Sequence, residues 1–258
     1  MDRILKRDRL VLLGILGTIT AAAWAYMAYE AHAMYSTGTC KCAGMAMSGD
    51  DVDAQSAATL FPLFLMWAEM MVAMMLPTAI PMILAFARLA RNRTPEKSPI
   101  ARSMSFAGGY LLVWTGFSVA AAIIQWQLNV FGLLSSLMES TNPIFAGSLL
   151  IAAGLFQFAR MKGKCLSRCR SREASLQEEW RDSPLGAVWM GWNHGLQCAG
   201  CCWVLMMLLF VGGVMNLWWI ALISAFVLFE KAAPRAGIVS RFSGVALAIW
   251  GAWTLISL

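Results

Sequence analysis

Charged side chains are scarce: Asp, Glu, Lys and Arg make up 13% of the 258 residues, where an average soluble domain carries about 25%. That excludes an ordinary water-soluble globule. Histidine is scarcer still, with two in the chain. One of them, His32, reads as part of a loop, so the pattern disfavours a bis-histidine haem within one chain. Short segments of alternating hydrophobicity are missing, which excludes a membrane β-barrel. No Walker sequence is present, so nothing points to nucleotide-driven work. The seven cysteines are an odd number, against a complete disulfide framework.

Apolar side chains are abundant instead, at 59% of the chain. Several runs reach the roughly 20 residues that a bilayer-spanning helix needs. The fold expected is an all-α, polytopic transmembrane helix bundle of about seven spans. They fall near residues 10–31, 59–87, 104–131, 143–160, 185–211, 217–229 and 242–257, in one integral membrane domain covering residues 1–258. The first run follows the charged MDRILKRDR but is too long for a signal peptide and shows no cleavage site, so it counts as a span.

The net charge of +6 is not a nucleic-acid signal, because the basic residues stand beside the apolar runs. Arg3, Lys6, Arg7 and Arg9 precede the first run, and further basic segments lie at residues 88–103, 161–184 and 230–241. Positive loops stay on the cytoplasmic side. The N-terminus is therefore expected in the cytoplasm, residues 32–58 outside, and the protein in a bacterial inner membrane. On the third span Trp114, Gln125 and Trp126 read as interface anchors.

The stretch Met190–Met206, MGWNHGLQCAGCCWVLM, carries the other histidine and three cysteines inside an apolar run. At about 100° per residue, Cys201 falls roughly 20° to one side of His194, Cys198 about 40° to the other, and Met190 about 40° away. Cys202, at about 80°, sits on the shoulder. One helix face thus presents imidazole, thiols and a thioether, a donor set suited to Cu(I) or zinc. A single helix rarely closes a coordination sphere, so a second must contribute. The alternative is that small buried cysteines only pack helix on helix.

The second span supplies candidates. Met66, Met70 and Met74 recur every four residues, and Met71, Met75 and Met82 form a second stripe. Glu69 is a carboxylate within an apolar run, which marks a functional candidate. Methionine also fills core gaps without any metal. In the outer loop Cys40, Cys42, Met45 and Met47 crowd a glycine-rich segment, as a soft-metal capture arm would. That segment reads equally as a polar connector or a Cys40–Cys42 disulfide. Cys165 and Cys169, four apart among cations, read as a cytosolic metal-exit or redox pair, or as part of a basic membrane-surface segment.

Several short motifs occur together: Met66–Trp67, Ala73–Met74–Met75–Leu76–Pro77, Lys164–Cys165–Leu166, Cys169–Arg170, Cys198–Ala199–Gly200–Cys201–Cys202–Trp203, Met215–Asn216 and Glu230–Lys231. In combination they resemble a bacterial family of predicted metal-binding integral membrane proteins of unknown function, over roughly residues 60–235. The resemblance implies metal binding but no particular metal or reaction, and Glu69 and the Cys40–Cys42 arm are not part of its pattern.

The leading expectation is a membrane protein that binds or moves copper as Cu(I), with zinc as the second choice. His194, Cys198, Cys201 and Cys202 would form the core of the site, with Glu69 or Met66, Met70 and Met74 completing it. Its partners would be the lipid bilayer and membrane-complex subunits or a metallochaperone, with no nucleic acid. A membrane oxidoreductase subunit, thiol-based or metal-centred, is the rival from another class. A structural or assembly subunit whose cysteines only pack is the third reading.

Overall fold

The computed structural model describes residues 2–37, 59–93, 98–134, 142–170, 176–233 and 235–257. The proposed capture arm with Cys40, Cys42, Met45 and Met47 lies outside the described residues. The helices in order are α1 (Asp2–Thr37), α2 (Leu60–Arg93), α3 (Pro99–Val130), α4 (Pro143–Phe156) and α5 (Arg160–Arg170), followed by α6 (Pro184–Met207), α7 (Leu209–Gly212), α8 (Leu217–Ala232) and α9 (Ala236–Ile256). The architecture is an all-α bundle.

Three of these helices start on the same local chemistry. Ser98–Pro99, Asn142–Pro143 and Ser183–Pro184 each put a capping side chain before a proline at the first helical position. The side-chain oxygen accepts an otherwise unpaired N–H: Ala101 to Ser98 at 3.4 Å, Ile144 to Asn142 at 2.9 Å, Gly186 to Ser183 at 2.8 Å. Asn216 caps α8 after a turn in which Gly213 takes φ 90°, a conformation glycine reaches without strain.

Five segments are long and apolar enough to cross a membrane: Arg7–Ala33, Leu60–Arg93, Pro99–Val130, Pro184–Gly212 and Ala236–Ile256. The other two expected spans are shorter. α4 has 14 residues and α8 has 16, about 21 and 24 Å at the α-helical rise. α4 continues into α5 across a 65° bend, and the pair together counts as a sixth candidate. The outer surface is apolar: Trp218 is 88% exposed, Ile256 82% and Leu185 80%. His32, expected in a loop, lies in α1.

The inner helices pack through glycine. On α6, a Cβ at Gly191 would stand 1.9 Å from the Phe106 carbonyl oxygen, and one at Gly195 2.8 Å from Val113 Cγ2. On α3, a Cβ at Gly109 would stand 2.0 Å from the Val188 carbonyl oxygen. α3 and α6 therefore touch backbone to backbone, which small residues alone permit. The α4–α9 contact follows the same rule, with Gly147 against Gly251 and Gly154 against Gly244. Gly191→Ala should lower stability by about 1–3 kcal/mol, because overpacking outweighs the roughly 1 kcal/mol of helix propensity that alanine adds. Thermal unfolding in detergent measures this, and an unchanged midpoint would contradict the close approach.

Pro77 and Pro81 lie inside α2. Pro77 has no N–H for the Ala73 carbonyl four residues earlier. The indole of Trp24 on α1 donates to that carbonyl at 3.0 Å, so a neighbouring helix satisfies the group the proline freed.

Two expectations need correction. Trp114 and Gln125 are not interface anchors: both are buried, and Trp67 Nε1 donates to Gln125 Oε1 at 2.6 Å in the interior. Lys162, within the basic segment expected at the membrane surface, is also buried. It pairs with Glu230 of α8 at 2.8 Å and donates to Gln157, while Ser240 of α9 donates to Glu230. A charge in the interior persists only when paired and hydrogen-bonded, and this network ties the α4–α5 bend to α8 and α9.

A candidate metal site between α2, α5, α6 and α8

α6 runs unbroken through Gly200. The missing side chain at Gly200 makes room for α5: a Cβ there would stand 3.0 Å from Cys165 Sγ. α5 thus lies against the thiol-bearing stretch of α6. Met190, His194, Cys198, Cys201 and Cys202 are all buried, as one helix face turned inward requires.

The four elements meet at a small cavity of about 40 Å³. α2 contributes Thr78, Pro81 and Met82; α5 contributes Cys169; α6 contributes His194; α8 contributes Leu228, Lys231 and Ala232. His194 Nδ1 is buried and has no hydrogen-bond partner. Its ring contacts those of Tyr110 and Phe106 on α3, with centroids 5.7 and 6.0 Å away. The α3–α6 glycine contact permits this, because it brings the two backbones close enough for the rings to meet. The Cys169 and Cys201 thiols neighbour each other where α5 lies against α6.

Cys198 sits beside the cavity in a polar knot. Lys231 Nζ donates to its Sγ at 2.8 Å and to Thr78 Oγ1 at 3.0 Å. Tyr110 Oη stands 3.1 Å from the same sulfur and donates to the Met75 carbonyl at 3.1 Å. The thiols of Cys201 and Cys202 both donate back to the Cys198 carbonyl at 3.0 Å.

The structure regroups the candidates. Among the described residues, no three His, Cys, Asp or Glu side chains are arranged to hold an ion. Met66, Met70 and Met74 are buried in the helix core, and none lines the cavity. Glu69 is half-buried with Oε1 unpartnered, and its charged neighbour is Glu30 on α1. Cys165 and Cys169 join the α6 cysteines rather than standing apart in a loop. Met82, read as one of a packing stripe, is the methionine at the cavity. Tyr110, Thr78 and Lys231 were missed. The signal for Lys231 was in the sequence, since Glu230–Lys231 closes an apolar run, but both were read as marking an inner loop.

The fold and this site define an all-helical protein with a thiol-, imidazole- and thioether-lined interior. It belongs to the copper chaperone family PpoB2, which matches residues 64–254 and so takes in α2 through most of α9. The copper-related part of the expectation is thereby borne out, and copper handling is favoured over the redox and packing alternatives. No curated protein and no solved structure matches the chain.

Proposed function

We propose that this is an integral membrane copper chaperone that carries Cu(I) as cargo at the cavity between α2, α5, α6 and α8. The observation that carries the reading is the convergence of Met82, Cys169 and His194 from three helices on one cavity, with the His194 Nδ1 unpartnered. The donors are soft or borderline, the set that selects Cu(I). A closed zinc site takes four ligands, usually cysteine and histidine. The absence of three gathered His, Cys, Asp or Glu side chains among the described residues suits zinc poorly and suits an ion satisfied by two or three soft donors, a thioether included.

Lys231 fits the same reading. Cu(I) held by two thiolates carries a net negative charge, and an ammonium beside it offsets that charge in a low-dielectric interior. Cys169 is the thiol that lines the cavity, and Cys198, which Lys231 reaches, stands beside it. The long apolar helices and apolar exterior support the bilayer as the setting, and the cysteine- and methionine-bearing segment at residues 40–47 remains the arm proposed for capture.

X-ray absorption on Cu(I)-loaded protein is expected to show both sulfur and nitrogen neighbours. Met82→Leu keeps the volume and removes the thioether. It should weaken Cu(I) binding roughly tenfold or more while leaving the fold intact. An all-oxygen environment, or full affinity in Met82→Leu together with a sulfur-free spectrum, would remove the cavity from consideration.

A further inference from the structure

A second and larger cavity lies away from the thiols. It holds about 680 Å³ and opens between the α4–α5 bend and the first turns of α9. Arg160 and Arg241 are exposed at its rim, and Lys162 and Gln157 are buried in its wall. Glu230, the carboxylate of this network, is engaged by Lys162 and Ser240.

Three features point to an anion. Gln157 is 4% exposed, its Oε1 accepts from Lys162, and its Nε2 is a buried donor with no partner. Ala236 and Gly237 place the start of the 21-residue α9 at the cavity, and the residue before it, Arg235, gives no side-chain cap. The first N–H groups of a helix lack intrahelical partners and favour negative charge. The two rim guanidiniums suit the bidentate geometry of a phosphate. Apolar surface accompanies the pocket: Phe158 in the lining is 51% exposed and Phe242, next to Arg241, 74%.

We infer that this pocket binds a phosphate group, supplied in the bilayer by the headgroup of an acidic phospholipid whose chains lie along the exposed apolar side chains. Basic pockets between membrane helices recognise such headgroups. The inference rests on the membrane setting of the proposed function but is independent of the copper site.

The test reconstitutes the full chain into nanodiscs of phosphatidylcholine alone, of phosphatidylcholine with phosphatidylglycerol, and of phosphatidylcholine with added inorganic phosphate. Failure to incorporate would sink the membrane reading and this one with it. Incorporation with no discrimination would sink this one alone. The expected result is phosphatidylglycerol retained in native mass spectra and a raised unfolding temperature in its presence. Arg160→Ala with Arg241→Ala, both exposed and outside the copper site, should lower that preference roughly tenfold. An effect of inorganic phosphate alone, abolished by the same pair, would assign the pocket to free phosphate. Retention of phosphatidylglycerol by the double variant as strongly as by the wild type would overturn the inference.

Discussion

Protein carrying His194→Ala together with Cys169→Ala is expected to retain well below one equivalent of Cu(I) when challenged anaerobically with a chromogenic Cu(I) chelator. Loss of a hydrogen-bond partner behind a metal ligand typically costs about 10–100-fold in affinity, and removal of two ligands should exceed that. The fold should survive. Neither substitution strands a buried hydrogen-bonding group of the same kind as a broken ion pair: His194 Nδ1 has no partner to lose, and Cys169 is a small side chain at a helix contact. Circular dichroism and size exclusion in detergent check this. Cys202→Ala should cost little, because its thiol serves only its own helix, through the Cys198 carbonyl. A double variant that still holds a full equivalent would move the cargo site elsewhere, with residues 40–47 first in line.

The second large effect concerns stability. Glu230→Leu removes the carboxylate from the Lys162 ammonium, whose side chain is 1% exposed. An uncompensated buried charge costs about 3–5 kcal/mol. Replacing both partners, Lys162→Met with Glu230→Leu, removes the charge as well as the pair and should recover most of the loss. Denaturant unfolding of the two single variants and the double gives the coupling directly. Additive losses would show that the pair is not an interacting unit. Glu230→Leu should also loosen copper binding, since Lys231, the next residue on α8, reaches Cys198 from there.

Much of the bundle was legible in one dimension because its cause is local. Apolar runs of membrane length become helices whatever they later touch. Their ends were less legible: α3 starts at Pro99 on a Ser98 cap, inside the segment expected as a basic loop. The inward face of α6 was legible from local spacing: periodicity places His194, Cys198 and Cys201 together on any helix. The partner face was not. Periodicity on α2 favoured Met66, Met70 and Met74, but Met82 lines the cavity, because which methionine meets α6 depends on the level at which two helices cross. Likewise Trp114 and Gln125 carry an interface-like composition, and only packing shows that they face the interior.

The sequence by itself thus determined an all-helical, apolar chain, the soft-donor character of its chemistry and the helix face that carries His194 with three of the seven cysteines. Those properties depend on residue type and on spacing within one helix. The tertiary structure decided the rest. It folded α5 against Gly200 of α6, bringing Cys165 and Cys169 to the other thiols. It turned Lys162 and Glu230 from presumed loop charges into a buried pair, and it aimed Lys231 at Cys198. Lys231 and Cys198 stand 33 positions apart in the chain, and Lys162 and Glu230 stand 68 apart. No local pattern encodes these contacts: each depends on where glycines let two backbones meet and on the need of every buried charge for a partner.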